Sequence, residues 1–300
     1  FCRSDATLCG VTEAVELIRQ SADNLVVRGL SDGDAISPWE TVLLIKGSYR
    51  AFAHLETLLL GVLARGIRVA TQAREIVAAA AGKPVLFFGG RHDHYRTQEA
   101  DGHAALVGGA AGVATDAQGE RAGVAGIGTV PHALIAAYGG DTVLGSCKFV
   151  EFIDEAIPFI ALVDFDNDCV GTSLKVADAL GDRLRGVRLD TSASLTDVSL
   201  RNESNPEPGV SPMLVRKVRQ ALDEHGHRHV EIVVSGGLTS AKVARYITEE
   251  APVDAFGVGS SILRNDGAYD FTADIVSVDG RAVSKVGRSF KSNDRLKTLG

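Results

Sequence analysis

Six short apolar runs recur between residues 85 and 258, and they constrain the fold of this chain more than any other feature. They share a nearly continuous aliphatic or aromatic character and stand at Val85–Phe88, Val124–Ile127, Phe159–Val163, Val187–Leu189, Ile232–Val234 and Ala255–Val258. Segments with helical spacing separate most of them, for example Leu214–Leu222 and Ala241–Thr248. Strands that alternate with helices need crossover connections, and continuous apolar runs are typical of strands buried on both faces. The pattern therefore predicts a parallel α/β sheet, either open and doubly wound or closed into a barrel.

The two ends of the chain have a different character and are predicted to form a second module. Helical spacing over Ala51–Leu63 and Ile67–Ala81 predicts two helices with a break at Gly66. Near the other end, Asp279-Gly280 lies between short apolar alternations, which predicts a β-hairpin that returns to the first module. The predicted division is an α+β module of residues 1–83 plus 268–300 and an α/β barrel of residues 84–267.

The charge of the chain argues against a nucleic-acid or membrane-surface partner. Lys and Arg total 31 against 38 Asp and Glu, so the net charge is −7 at pH 7 and phosphate backbones are repelled. The four cysteines stand far apart without a C-x-x-C pair, which is typical of the reducing cytoplasm. No run has the length of a membrane span. Because the chain begins with Phe1 and its only methionine is Met213, we expect it to lack part of the translated product.

Two predicted strands run into glycines and hydroxyl residues. The first continues as Ser235-Gly236-Gly237, and the second ends as Gly257-Val258-Gly259-Ser260. Glycine lets main-chain N–H groups approach an anion, and the start of a following helix adds positive potential. Two such loops near the end of a barrel are a common phosphate grip. The pair predicts phosphate binding, and the alternative is two tight turns without a ligand.

Charged residues follow two other strand ends. Asp164 and Asp166 come after the run at Phe159–Val163, and their carboxylates are suited to Mg²⁺ or to ribose hydroxyls. Arg188, Asp190 and Thr191 end the next run, where the arginine offers a fork for phosphate and the aspartate an acceptor for ribose. The alternative interpretation of both segments is a pair of solvated helix caps.

Two segments that contain histidine complete the candidate site. Arg91 follows the first barrel strand and stands beside His92 and His94, which gives one cation and two imidazoles. Further on, Thr129 is predicted to cap a helix with a proline in its first turn, which places His132 where anions collect. A histidine in such a place is more often structural than catalytic, and the residues alone leave that choice open.

Together these features predict a phosphate-handling α/β barrel. A hydride carrier is disfavoured because no Gly-x-Gly-x-x-Gly turn follows an early strand, and a Schiff-base aldolase because the strands lack a lysine. The ordered motifs resemble the nicotinate phosphoribosyltransferase family, relatives of nicotinamide phosphoribosyltransferase among the type II phosphoribosyltransferase barrels. The resemblance runs almost end to end through Glu40-Thr41-Val42, Leu55–Gly61, Val69-Ala70-Thr71, Phe88-Gly89-Gly90-Arg91, Gly128–Leu134, Leu162-Val163-Asp164, Val187–Thr191, the two glycine loops and Asp270–Val276.

This resemblance implies a fold and a reaction. The implied fold is an incomplete α/β barrel beside an α+β module, in a cytoplasmic homodimer with shared active sites. Such enzymes join nicotinate to phosphoribosyl pyrophosphate and release pyrophosphate and nicotinate mononucleotide on the route to NAD, with Mg²⁺ as cofactor and ATP as co-substrate. Nicotinamide transfer, quinolinate transfer and a non-catalytic phosphate-binding barrel stay as alternatives.

The resemblance also implies roles for individual residues. Arg188 and Asp190 would hold the ribosyl substrate, and Arg91 would face the base and pyrophosphate. His132 matches the histidine that the family phosphorylates from ATP. The residues expected to hold the 5′-phosphate are Gly236, Gly237, Gly259 and Ser260. Further contacts with substrate are expected from His94, Thr129, Thr191, Ser235 and Gly257.

Three features depart from the pattern of the family. His92 occupies a position where many relatives carry a second arginine. Asp116 falls near an aspartate of the nicotinamide branch, where a carboxylate would accept an amide N–H and repel nicotinate. From the resemblance we also expect the present chain to lack an N-terminal segment of the family that carries a tyrosine near the base.

Overall fold

The computed structural model describes residues 1–22, 24–128 and 130–299. Its strands are β1 Ala6–Thr7, β2 Val26–Gly29, β3 Ala35–Ile36, β4 Leu43–Lys46, β5 Val85–Phe87, β6 Gly112–Val113, β7 Phe159–Leu162, β8 Leu184–Leu189, β9 Glu231–Val234, β10 Ala255–Val258, β11 Ser277–Val278, β12 Arg281–Ala282 and β13 Lys297–Thr298. Its helices are α1 Val11–Ser21, α2 Tyr49–Phe52, α3 Glu56–Ala79, α4 Gln98–Val107, α5 Asp116–Gly119, α6 His132–Ala137, α7 Thr142–Phe152, α8 Cys169–Leu180, α9 Pro212–Glu224 and α10 Ser240–Thr248. None of the helices in these ranges has the length and apolar character needed to cross a membrane.

Six strands form one parallel sheet in the order β6-β5-β10-β9-β8-β7. Val258 of β10 lies opposite Phe87 of β5, and Leu189 of β8 lies opposite Val234 of β9. All four side chains are buried because helices cover one side of the curled sheet and its own side chains fill the other. Within the described ranges β6 and β7 do not pair with each other, so the barrel stays open. The predicted incomplete α/β barrel with an added α+β module is confirmed.

Helix α9 illustrates how the sequence builds the outer layer of the barrel. Ser211 caps it by accepting a hydrogen bond from Leu214 N at 3.2 Å, and Pro212 takes the first position, where its missing N–H is not needed. Leu214, Val218 and Leu222 lie on one buried face. Each contributes about 2 kcal/mol by burial. This packing connects β8 to β9 and leaves the carboxyl ends of both strands at the same rim.

The predicted strand at Val124–Ile127 is wrong. The strand that pairs with β5 is β6, whose two residues carry too little apolar sequence to be recognised. Residues 124–128 instead follow the outer edge of β6 as irregular chain, where Ile127 N donates to Val113 O at 2.9 Å and Gly128 N donates to Ala114 O at 3.1 Å. The side chains of Val124 and Ile127 are exposed. This apolar run is therefore an edge segment and not a buried strand.

The predicted helix break at Gly66 is also wrong, because α3 runs unbroken through it. A Cβ at Gly66 would come within 2.7 Å of Cys9 O, so this glycine permits close packing of α3 against the segment before α1. Helix α3 contributes Leu59 to the core of the N-terminal module and Ile76 to the core of the barrel. Since one helix serves both cores, the proposed boundaries after residues 83 and 267 stay a prediction.

The C-terminal segment returns to the N-terminal module, but through a strand that was not predicted. β11 and β12 form the expected hairpin, in which Asp279 and Gly280 have φ of 49° and 78°. Within the described ranges these two strands pair only with each other. β13 instead pairs antiparallel with β2 and places Lys297 opposite Gly29. Leu296, beside it, joins the core of the N-terminal module.

Candidate functional site

The carboxyl ends of five neighbouring strands form one continuous rim. β5, β10, β9, β8 and β7 lie side by side and are followed by residues 88–92, 259–261, 235–237, 190–191 and 163–164. Parallel strands end at the same edge of a sheet, which is where α/β barrels carry their sites. The fold therefore gathers most of the predicted site residues along this rim.

The two glycine loops present unused main-chain donors at the centre of the rim. Gly236 and Gly237 have φ of 96° and 60°, a left-handed conformation that glycine adopts without strain. Among the described residues, the N–H groups of Gly236, Gly237, Gly259 and Ser260 donate to no protein acceptor. Helix α10 begins just after the first loop, so its N-terminus adds positive potential. This arrangement is suited to bind a phosphate group.

Lys242 is a cation beside the first loop that sequence reasoning missed. It lies in the first turn of α10, and its Nζ donates to Gly237 O at 3.0 Å. Its main-chain N donates to the capping Thr239 Oγ1 at 3.3 Å. The side chain is exposed, so the ammonium adds positive charge next to the open N–H groups. Its place in the first helical turn after the glycines was the available signal.

The two glycines of the second loop have different surroundings. Gly257 lies within β10, and its α-carbon packs against the ring of Phe88. Gly259 lies beyond the strand end, where a Cβ would come within 2.6 Å of both Phe88 O and His92 Cε1. Ser261 Oγ donates to Leu238 O and so ties the second loop to the first. Gly257 therefore serves packing, whereas Gly259 presents its main chain at the rim.

Arg188, Asp190 and Ser235 form a hydrogen-bonded network beside the loops. Arg188 Nη1 lies 3.1 Å from Asp190 Oδ2 and donates to Ser235 Oγ at 3.2 Å. Ser235 Oγ donates in turn to Asp190 Oδ1 at 2.8 Å. Arg188 Nη2 donates to Val130 O at 3.0 Å, and the guanidinium carbon lies 5.9 Å from the centre of the Phe88 ring. Because the Arg188 side chain is only 12% exposed, these contacts hold the guanidinium in one position.

Thr191 turns away from the rim and belongs to the packing beneath it. Its buried hydroxyl lies 3.4 Å from Cys169 Sγ. Burial raises the pKa of the Cys169 thiol, so the sulfur stays protonated at neutral pH. Cys169 N donates to the buried Asp197 Oδ2 at 2.8 Å. These contacts fix the segment after β8, and Thr191 thereby positions its neighbour Asp190.

His132 and Asp164 form a pair at the β7 end of the rim. His132 Nε2 lies 3.1 Å from both carboxylate oxygens of Asp164. Burial raises the pKa of the Asp164 carboxyl, an effect that His132 opposes and the charge of Asp190 reinforces. Helix α6 begins at His132, so Pro131 stands in the cap position and not in the first turn as predicted. The predicted cap, Thr129, lies outside the described residues.

Asp164 and Asp166, which were predicted together as metal ligands, have different surroundings. Asp164 is nearly buried and bound to His132, whereas Asp166 is exposed and lines a cavity of about 700 Å³ between α7 and α8. Across the described ranges no group of three or more His, Cys, Asp or Glu side chains is placed to hold a metal ion. A Mg²⁺ site would fit here only as one carboxylate combined with waters and substrate phosphates, which is a common arrangement for this ion.

The remaining predicted residues lie at the β5 and β6 end. Arg91 is exposed and makes no hydrogen bond or ion pair with any described residue. His94 Nδ1 accepts a hydrogen bond from Arg96 N at 3.2 Å and so caps a short turn. Asp116 Oδ1 accepts from Gly126 N at 2.8 Å, which fastens the edge segment 124–128 to α5. Arg91 is therefore available to a ligand, while His94 and Asp116 have structural partners.

Arg65 anchors the loop that carries Arg91, a contact that no local sequence pattern predicted. Arg65 Nε and Nη2 bind the two oxygens of the buried Asp101 at 2.7 and 2.8 Å. Nη2 also lies 2.7 Å from Asp93 Oδ2. The hydrogen bond from Arg65 lowers the pKa of Asp93, so this pair stays charged. Helix α3 thus holds both the loop between β5 and α4, through Asp93, and the first turn of α4, through Asp101.

The sequence of the chain matches two domains described for known proteins. Residues 1–66 match the N-terminal domain of quinolinate phosphoribosyl transferase, and residues 69–274 match its C-terminal domain. A nicotinate phosphoribosyltransferase of Mycobacterium tuberculosis is 32% identical over 292 residues, which cover 91% of this chain and 61% of that protein. The chain therefore spans about three-fifths of the length of this curated relative.

Solved structures agree with these matches. The crystal structure of nicotinate-nucleotide pyrophosphorylase from Pyrococcus furiosus has a TM-score of 0.83 and 35% sequence identity, and the match covers 99% of this chain and 73% of that one. Human nicotinic acid phosphoribosyltransferase shares the fold, with a TM-score of 0.64 at 18% identity over 86% of this chain and 67% of that one. With both domains matched over most of its length, the chain belongs to the quinolinate phosphoribosyl transferase family of type II phosphoribosyltransferases.

Proposed function

We propose that this chain carries the active site of a nicotinate phosphoribosyltransferase, which joins nicotinate to phosphoribosyl pyrophosphate in the synthesis of NAD. The observation that carries the proposal is the pair of glycine loops with unused N–H donors, set directly beside the Arg188–Ser235–Asp190 network. A 5′-phosphate at the loops brings the attached ribose within reach of Asp190. Relatives named nicotinate phosphoribosyltransferase support the choice of base.

The network orients the ribosyl substrate before the reaction begins. In the step itself the ring nitrogen of nicotinate bonds to C1′ while the bond from C1′ to the pyrophosphate oxygen breaks. Asp190 accepts a hydrogen bond from ribose, and its charge favours the positive character that C1′ develops. Arg188 and Arg91 stabilise the negative charges of phosphoribosyl pyrophosphate and of the departing pyrophosphate. Catalysis of this kind depends on position and electrostatics and needs no enzyme nucleophile. Mg²⁺, when bound, supplies further positive charge to the departing pyrophosphate.

His132 is proposed as the residue that couples ATP to this reaction. Its Nε2 faces the Asp164 carboxylate and donates to it, so Nδ1 keeps a free lone pair. The imidazole is 46% exposed, which leaves room for a phosphoryl donor. Nδ1 bonds to the γ-phosphorus of ATP as the bond to the β,γ-bridging oxygen breaks, ADP leaves, and water later cleaves the phosphohistidine. Asp164 orients the ring in the way that a carboxylate orients a catalytic histidine.

We further propose a homodimer in which partners complete each other's sites. The rim is open on the side of Arg91, whose guanidinium has no partner within the described chain. A base seated there needs walls on more than one side to exclude water.

A product assay tests the proposed function. The full-length protein would meet Mg²⁺ and phosphoribosyl pyrophosphate with nicotinate, nicotinamide or quinolinate, each with and without ATP, and mass spectrometry would identify the mononucleotide. We expect nicotinate mononucleotide, formed faster with ATP. Formation of nicotinamide mononucleotide would mean that the base is nicotinamide and that Asp116 sets the preference of the base pocket. Nicotinate mononucleotide formed from quinolinate with loss of CO₂ would mean that quinolinate, the base in the name of the matched family, is the substrate. Substrate bound without any product would indicate a non-catalytic phosphate-binding barrel.

A further inference from the structure

The imidazole of His92 lies directly over the second glycine loop. A Cβ at Gly259 would come 2.6 Å from His92 Cε1 and 2.8 Å from His92 Nδ1, so the ring packs on the α-carbon of this glycine. His92 N donates to Gly89 O at 3.1 Å, a tight turn that holds the residue over the loop. Phe88 N donates to Val258 O at 2.8 Å and continues the pairing of β5 with β10 to this point. The position of the ring is thus set by the main chain on both sides.

The ring nitrogens of His92 are available to a ligand. Among the described residues neither nitrogen takes part in a hydrogen bond or ion pair with another residue. The side chain is exposed at the rim. The adjacent N–H groups of Gly259 and Ser260 also lack protein acceptors. A phosphoryl oxygen that binds those donors therefore lies beside an imidazole that has no other partner.

We infer that His92 is a ligand of the phosphoryl group held by Gly259 and Ser260, and that it makes binding of the phosphorylated sugar pH-dependent. This inference rests on the proposed function, because it takes the second loop as the phosphate site. Protonated histidine donates from both ring nitrogens and adds a positive charge, whereas the neutral ring donates from only one. Charge-assisted hydrogen bonds are about twice as strong as neutral ones. Binding should therefore tighten as His92 gains a proton.

The other charged and titratable groups around His92, including His94 on the same loop, are the same in wild type and in the His92 variants. Arg91 and Asp93 flank it on its own loop, and Arg65 and Arg68 of α3 act on Asp93. The hydrogen bond from Arg65 lowers the pKa of the Asp93 carboxyl, which stays ionised. The neighbouring Ser260 carries no charge. A difference in pH dependence between wild type and a His92 variant thus reports on His92 itself.

The test is titration calorimetry of the full-length protein with ribose 5-phosphate at about pH 6 and about pH 8, on either side of the usual range of histidine. His92→Gln removes the charge, and His92→Arg makes it permanent. His54→Gln is the matched control, because His54 is an exposed histidine away from the rim. The second ionisation of the phosphate, near pH 6, is common to all four proteins and cancels in the comparison.

We expect wild type to bind about tenfold more tightly than His92→Gln at the lower pH, which corresponds to about 1.4 kcal/mol, and about equally at the higher pH. His92→Arg should keep the tight binding at both values, and His54→Gln should follow wild type. If the affinity for ribose 5-phosphate changed with pH in the same way in wild type and both His92 variants, the role of His92 would be overturned, whereas the proposed phosphate site would not. Failure of wild type to bind ribose 5-phosphate at either pH would overturn the proposed phosphate site and this inference with it.

Discussion

His132 Nε2 lies 3.1 Å from both oxygens of Asp164, at the edge of the rim opposite the loop that carries Arg91. The carboxylate is 8% exposed and the imidazole 46%, so one partner is held in the protein and the other faces solvent. In this geometry Asp164 orients the imidazole ring through Nε2, and Nδ1 on the other side of the ring is open to a reactant. Burial is the main cause of the raised pKa of the Asp164 carboxyl, and the charge of Asp190 in the Arg188 network adds to it.

Replacement of His132 should separate the coupling by ATP from the transfer itself. His132→Ala removes the proposed phosphoryl acceptor and leaves the glycine loops and Arg188 untouched. We expect transfer without ATP to stay within about twofold of wild type and the stimulation by ATP to disappear, as measured by mononucleotide formation. Incubation with ATP should add one phosphoryl mass to wild type and none to the variant. An undiminished stimulation by ATP in the variant would refute the assigned role.

The stability contributed by Asp164 should fall as pH rises. Burial raises the pKa of this carboxyl, and a group whose pKa is raised by folding stabilises the fold below its unfolded value and loses that contribution as pH rises through the folded value. The Tm of Asp164→Asn relative to wild type should therefore increase between about pH 4 and pH 7.5. Exposed Asp166→Asn is the matched control and should show no comparable trend. A relative Tm that decreased over this range would contradict the account.

Substitution of Arg188 by lysine should weaken binding of phosphoribosyl pyrophosphate although the charge is kept. A lysine cannot reach Asp190, Ser235 and Val130 O together, because it lacks the planar fork of the guanidinium. We expect KM for this substrate to rise about tenfold or more, as for the loss of a charge-assisted hydrogen bond. Arg185→Lys, on the exposed part of the same strand, should leave KM within about twofold. Equal effects of the two substitutions would argue against a special place for Arg188.

Two glycines of α3 should respond to alanine in opposite directions. At Gly61 a Cβ meets nothing within 4 Å, so Gly61→Ala should stabilise the protein by about 1 kcal/mol through helix propensity. At Gly66 a Cβ would press on Cys9 O at 2.7 Å, so Gly66→Ala should destabilise by about 1–3 kcal/mol. Denaturant unfolding measures both. Stabilisation by Gly66→Ala would mean that α3 and the segment before α1 are less closely packed than the structure shows.

The sequence predicted the fold well where burial dominates. Runs such as Phe159–Val163 and Ala255–Val258 became strands within a residue or two, because strands buried on both faces must be apolar throughout. It failed at Val124–Ile127, since hydrogen bonding along an edge needs no buried side chains. It also failed at Gly66, because a glycine that permits close approach looks the same in sequence as one that ends a helix.

The segments that form the candidate site could be predicted from the sequence, but the contacts between their side chains could not. Strand ends identified Arg188, Asp190 and the glycine loops, because parallel strands place their chemistry at one edge. The pairing of Arg65 with Asp101 depends on how α3 packs against α4, and no local spacing encodes that contact. The same holds for Lys242 at Gly237 O and for His92 over Gly259.

The most direct test of phosphoribosyl transfer is the release of pyrophosphate from phosphoribosyl pyrophosphate as a function of nicotinate. We expect pyrophosphate and nicotinate mononucleotide to appear in equal amounts, neither to form without the base, and Arg188→Ala to lower the rate at least about tenfold. Pyrophosphate released at the same rate without nicotinate, or substrate bound with no release at all, would contradict phosphoribosyl transfer to nicotinate.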